Sequence, residues 1–248
     1  MRPDQRSFDA LRPVTIELGV QRFPEGSLRY RCGETSLLIA ASMQDGVRDF
    51  LRGSGQGWLA AEYAMHPRAT PERKARDGRR GPIDGRSQEI QRLISRSLRA
   101  AVHLPKLGEH TLQLDCDVLD ADGGTRTAAI TGGFVALALA CDRLHRQGKL
   151  PAGVLRTQVA AVSVGLVDGK ALLDLSYPED ARADFDLNVV ANAAGALIEV
   201  QGTAEGALLP KAQFHALVDL ALGGIQNLIG KQRRVLQDAG IDLDRLLA

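Results

Sequence analysis

Residues 119–133, LDADGGTRTAAITGG, pass directly from an alternating apolar pattern into a continuous one. Upstream, HTLQLDCDV (110–118) carries Leu112, Leu114, Cys116 and Val118 at every second position, as a half-buried strand does. Downstream, TRTAAITGGFVALALACDRLHRQGK (125–149) is apolar nearly all round, which predicts a deeply buried helix. Between the two stand Gly123 and Gly124. A helix start offers unpaired N–H groups and the positive end of the helix dipole, and an oxyanion such as phosphate suits both. The glycines let backbone N–H groups converge, Thr125 and Thr127 add hydroxyls, and Arg126 adds a fork that matches two phosphate oxygens. A capped helix with a surface arginine fits the same residues. The spacing is neither G-x-G-x-x-G nor G-x-x-x-x-G-K-[ST], so nucleotide folds built on those motifs lose support.

Outward from this unit, the N-terminal third reads as strands: TIELGV, GSLRYRCG, TSLLIAASM and GWLAAEYAM, separated by glycine, proline or charged turns. Residues 67–85, PRATPERKARDGRRGPIDG, have no apolar periodicity and read as a loop. SQEIQRLISRSLRAAVHL then sets Ile90, Leu93, Ile94, Leu98, Ala101 and Val102 at helical spacing, with Arg92, Arg96 and Arg99 on the other side. After LPAG the strands resume as TQVAAVSVGLV, KALLDLS, DFDLNVVAN and ALIEVQG, and a final helix is predicted over about 210–237. Each half is hairpin strands followed by helix. The expectation is an α/β (α+β) two-layer fold in one domain, 1–248, with similar halves at about 1–150 and 151–236 and a tail at 237–248.

The 248 residues carry a net charge of only +1, unevenly spread. Between Arg68 and Arg99 ten basic residues face four acids, a local +6 that leaves −5 elsewhere, as on a polyanion-binding surface. A solvated helix face beside a loop has the same composition. YPEDARADFDLN gathers Glu179, Asp180, Asp184 and Asp186; carboxylates are the hard oxygen ligands Mg²⁺ takes, and an acidic surface loop looks alike. No apolar run is expected to reach the roughly 20 residues of a membrane span, and MRPDQRSFDALRP lacks a signal peptide's apolar core, so a cytoplasmic protein is expected. Cys32, Cys116 and Cys141 have neither a C-x-x-C spacing nor an even count, and read as small buried hydrophobes. His66 has no implied carboxylate partner. Trp58, in a strand-like run, is expected to pack against the core rather than stack a base.

MRPDQR (1–6), GSGQGWLAAEYAMHPRAT (53–70), GRSQEIQRLISRSLRAAV (85–102), LDCDVLDADGGTRTAAITG (114–132), YPEDARADFDLNVV (177–190) and IEVQGTAEG (198–206), in this order and spacing, resemble the ribonuclease PH family of phosphorolytic 3′→5′ exoribonucleases, over residues 1 to about 236. The resemblance implies duplicated βαβα halves of the ribosomal protein S5 domain 2-like type, a fold shared with exosome ring subunits and polynucleotide phosphorylase. It further implies a homohexamer built as a trimer of dimers. The implied reaction trims precursor tRNA and other RNA 3′ ends, removing nucleotides beyond the CCA end with inorganic phosphate and releasing nucleoside diphosphates. DNA and membranes are not expected partners.

Carried over by position, Arg86, Gly124, Thr125 and Arg126 match phosphate-binding residues, with Arg126 also catalytic. Asp180 and Asp186 match catalytic residues that hold Mg²⁺ or Mn²⁺. Arg68, Arg73 and Arg76 match the RNA-binding loop, and Arg92, Arg96 and Arg99 extend that basic surface. A catalytically silent RNA-binding ring subunit is the alternative, and a hydrolytic nuclease of similar fold a third; the presence of both arginines and both aspartates favours the phosphorolytic enzyme. The sequence departs from the family at Gln5, where glycine is usual before the second arginine, at RRGPIDGR before Arg86, and in the tail QDAGIDLDRLLA.

Overall fold

The computed structural model of the chain describes residues 2, 4–78, 81–204 and 208–247. Arg79 and Arg80 of the basic run, Met1 and Pro3 of the first motif, and Glu205 and Gly206 of the last motif lie outside the described residues. The expected strands form: β1 (Val14–Leu18), β2 (Gly26–Cys32), β3 (Thr35–Asp45), β4 (Trp58–Met65) and β5 (His110–Asp120) in the first half, and β6 (Val159–Val167), β7 (Lys170–Leu173), β8 (Phe185–Asn192) and β9 (Leu197–Ala204) in the second. The helices are α1 (Gly85–Arg99), α2 (Thr125–Arg146), the single turn α3 (Tyr177–Asp180), α4 (Lys211–Asp238) and the short α5 (Leu243–Leu246).

Among the described residues the strands make two sheets, ordered β1-β2-β3-β5-β4 and β7-β6-β8-β9. β4 runs parallel to β5, because α1 carries the chain back between them; the second sheet is antiparallel throughout. α1 and α2 cover the first sheet, and the second sheet covers the far side of α2 before α4 closes its other face. This stacking explains the composition of α2. Its length and composition match a membrane span, contrary to the expectation that no run would reach one, yet its most apolar stretch is 89% buried between the two sheets.

Strand alternation divides the second sheet between two apolar clusters. Val159, Ala161 and Val190 join the cluster containing α2, whereas Ala160, Val162, Val164, Leu187 and Val189 join the one containing α4. Toward the start of α2, the α2-facing side changes from Val159, Ala161 and Val190 to Ser163, Asn188 and Asp186. The pleat therefore puts Asp186 on the α2-facing side of β8. The segment after Gln237 is integral to the fold: Leu243 and Leu246 enter the main cluster, and Leu155 N–H donates to Leu246 O at 2.8 Å.

Candidate active site

The turn that feeds α2 needs both of its glycines. Gly123 and Gly124 have φ of +75° and +66°, in the left-handed region. At Gly123 space is also lacking, since a Cβ would lie 2.5 Å from Leu175 O and 2.9 Å from Tyr177 N. The second half thus presses its backbone directly on the turn. Tyr177 N–H donates to Asp122 Oδ1 at 3.1 Å, and the Thr35 hydroxyl donates to Gly123 O at 2.7 Å. Gly124 is the residue before the first helical turn and provides no side-chain cap, while the Thr127 hydroxyl donates back to Gly124 O at 2.9 Å. The capped-helix reading of these residues is not realised. The first N–H groups of α2 have no side-chain cap, beside two residues with the chemistry to meet an anion.

Those residues are Thr125 and Arg126. The Thr125 hydroxyl shares a 2.8 Å hydrogen bond with the hydroxyl of Tyr63, from β4. Burial raises the Tyr63 phenol above its ordinary value, while Thr125, Arg86 and Arg126 act to lower it. Arg86 stands at the start of α1 and Arg126 at the start of α2, and the charges of both act on this phenol. Arg126 is only 19% exposed and is lightly engaged, at 3.4 Å to Gln201 Oε1 and 3.8 Å to Glu89 Oε2. Gln201 donates in turn to Glu89 Oε1 and to Glu199 Oε1, each at 3.1 Å. Arg86 is exposed.

The acidic segment separates by role. Glu179 points inward and makes a capping box with Ser176; buried Arg2 donates to its two oxygens at 2.8 and 2.9 Å. Asp180, at the end of the same turn, is exposed, and Asp186 is half-buried on β8 opposite Gly165 and Thr203. Asp184 is exposed. A second brace, from Arg12, has no local signal in the sequence. Its Nε and Nη2 donate to Asp174 at 3.1 and 2.7 Å, and its Nη1 donates to Asp122 O in the glycine turn. Burial opposes the Asp174 charge, but the Arg12 hydrogen bonds and charge outweigh it and hold the carboxyl below its ordinary value. Arg2, Arg6, Arg12, Asp174 and Glu179 thus fix the acidic segment on the turn.

The basic residues are not one surface. Arg68, Arg73 and Arg76 are exposed on the loop between β4 and α1, and Arg92 is exposed on α1. The three arginines of α1 differ in their surroundings: Arg92 and Arg96 are exposed and Arg99 is half-buried. Arg96 is paired with Glu199 of β9 at 2.6 Å, and Arg99 lies 4.4 Å over the Trp58 ring and donates to Leu59 O at 3.1 Å. Helical spacing put them on one face, but the facing strands took up two of the three. Trp58 is half-buried, with its ring at 87° to that of Phe50, so it packs under the arginines rather than in the core. His66 is exposed. The three cysteines are buried free thiols, and burial raises their pKa values, those of Cys32 and Cys141 to about 12.

Sequence comparisons bear on this arrangement. A family model described as "3′ exoribonuclease family, domain 1" matches residues 10–141, and one described as "3′ exoribonuclease family, domain 2" matches residues 157–224. A protein named Ribonuclease PH from Crocosphaera subtropica is 52% identical over 238 residues, covering 96% of this chain and 98% of its own length. Another Ribonuclease PH, from Syntrophomonas wolfei, is 50% identical over 235 residues, covering 95% and 98%. Among solved structures, an Archaeoglobus fulgidus exosome with RNA bound to the active site superposes with a TM-score of 0.76 at 25% identity, covering 93% of this chain and 92% of the other. Rice Rrp46, at 19% identity, gives a TM-score of 0.77 over 95% of this chain and 100% of its own, a likeness of fold.

Proposed function

The chain belongs to the 3′ exoribonuclease family and is a phosphate-dependent 3′→5′ exoribonuclease, and from that premise we propose how its residues divide the work. Inorganic phosphate is already an anionic nucleophile at neutral pH, so no side chain has to be activated to attack. The chain must instead hold one anion in line with another. Arg126, Arg86 and the uncapped N–H groups at the start of α2 bind the phosphate and offset its repulsion from the last phosphodiester. The weak contacts of Arg126 to Gln201 and Glu89 keep its fork oriented without saturating it. The Thr125 hydroxyl is held by Tyr63 and directs its remaining hydrogen-bonding capacity to the same anion.

Asp180 and Asp186 are the residues that would hold Mg²⁺ or Mn²⁺. Among the described residues there is no cluster of three or more His, Cys, Asp or Glu side chains suited to a metal, and a two-carboxylate donor set suits an ion that completes its shell with water and substrate phosphates. When bound, such an ion supplies positive charge near the bridging oxygens. The products are a nucleoside diphosphate and an RNA shorter by one nucleotide. The exchange of a phosphoester for a phosphoanhydride is reversible. The substrates of this reading are precursor tRNA and other RNA 3′ ends, the assembly is a homohexamer built as a trimer of dimers, and the compartment is the cytoplasm.

The observation that supports the reading is the start of α2, which has no side-chain cap and has the lightly engaged Arg126 in its first turn. RNA shortening should require phosphate, release diphosphates, and reverse with excess diphosphate. Arg126→Ala and Arg86→Ala should each lower the rate at limiting phosphate by about 10- to 150-fold, from the ~1.5–3 kcal/mol of a charge-assisted hydrogen bond. Monophosphates released at full rate without phosphate would make water the nucleophile.

A further inference from the structure

The phosphate site accounts for the scissile group and leaves the terminal base unattended. Tyr177 lies beside the glycine turn that feeds α2. Its side chain is large, apolar and 62% exposed, whereas Tyr30 and Tyr63 are buried in the core. Its backbone is anchored: the N–H is bonded to Asp122 Oδ1, and Leu175–Tyr177 lies against Gly123. The capping box and the Arg2–Glu179 pair immobilise the turn beneath it. Residues three apart share a helical face, so Tyr177 and Asp180 present to the same side while Glu179 is turned inward. An exposed aromatic side chain is thus carried by an anchored turn that packs on the glycine turn and ends at Asp180.

We propose that Tyr177 is the stacking platform for the base of the RNA 3′-terminal nucleotide, and that the same ring retains the base of the nucleoside diphosphate product. The inference rests on the phosphorolytic reading of the site. Stacking accepts any base, because every base has a π-face, as an enzyme that removes successive 3′ nucleotides requires.

The test is equilibrium binding of the full-length protein to a short RNA with 2-aminopurine at its 3′ end, in phosphate-free buffer. The wild-type protein should quench the terminal fluorophore. Tyr177→Ala should abolish the quench and weaken binding by about 5- to 150-fold, the range of one base–aromatic stack, with Tyr177→Phe and Tyr177→Trp near wild type. An RNA with an abasic 3′ residue should bind the wild-type and Tyr177→Ala proteins alike, and ADP should inhibit Tyr177→Ala less than wild type. Equal affinity of the two proteins for the base-bearing RNA would overturn the proposal, as would an equal loss on the abasic RNA, which would make the ring structural. Shortening of the RNA during the phosphate-free measurement would instead count against phosphorolysis itself, so the two failures are distinguishable.

Discussion

Asp174 joins the two halves at the active site, and its removal should be costly in a calculable way. Arg12 donates to it three times, from its backbone N–H at 2.8 Å and from Nε and Nη2 at 3.1 and 2.7 Å, and both side chains are buried. Asp174→Asn retains an acceptor but leaves the buried Arg12 charge with only the Asp122 carboxylate, at 3.7 Å, which costs about 3 kcal/mol, the lower end for breaking one partner of a buried pair. Asp174→Ala removes every acceptor, for about 4–5 kcal/mol. It also puts alanine at φ +57°, which adds about 1 kcal/mol that asparagine avoids. For a chain of 248 residues, with Tm moving by about 2 °C per kcal/mol, the shifts are about 6 °C and about 10–12 °C. Arg12→Met combined with Asp174→Asn should lose less than the sum of the single changes, since no charge is then left unpaired. The pH dependence has a definite sign. The Asp174 carboxyl lies below its ordinary value near 3.8, so its contribution is complete above that pH and is lost as pH falls through the lower folded value. The gap between wild type and Asp174→Asn should therefore be constant from pH 5 to 8 and narrow only below about pH 4. Thermal and urea unfolding across that range, with half-saturating phosphate determined at pH 7, is the assay. If Asp174→Asn unfolded within 1 kcal/mol of wild type and bound phosphate equally well, the brace would be irrelevant to both fold and site.

Asp180→Asn and Asp186→Asn should each keep wild-type circular dichroism and RNA affinity while losing most turnover, because each removes only a charge beside the reacting groups; near-normal rates at saturating Mg²⁺ would refute their role. Replacing Arg68, Arg73 and Arg76 together by alanine should weaken tRNA binding and flatten its salt dependence by about 0.7–0.9 logarithmic units for each RNA phosphate no longer neutralised, with less effect on a short oligonucleotide. Equal damage to both substrates would mean that the loop shapes the active site. Gln5 has φ +61°, so Gln5→Gly should stabilise the protein by about 0.5–1 kcal/mol, the relief of a left-handed non-glycine less the extra entropy of glycine; a lower unfolding midpoint would contradict this.

The sequence by itself marked the strands and the long helices α1, α2 and α4, but not the short α3 and α5. Short, partly alternating apolar runs between turns marked the strands, and the all-round apolar run marked α2, because which faces are buried is written in side-chain spacing. Gly123, Gly124 and Arg126 were legible as a turn able to meet an anion, since backbone freedom and guanidinium chemistry are local properties. The motif resemblance supplied the roles of Arg86, Asp180 and Asp186, which composition alone left open. What only the tertiary structure decided is which of these groups meet. Arg12 reaches Asp174 across 162 residues, Gln201 reaches Arg126 across 75, and Tyr63 reaches Thr125 across 62. Such pairs leave no mark in any window of sequence, because each is made by sheet register and the stacking of α2 between two sheets. For the same reason the row Arg92, Arg96 and Arg99, one face by helical arithmetic, was divided once β9 and Trp58 were brought against two of its members. Local physics chose the parts, and long-range packing chose their partners.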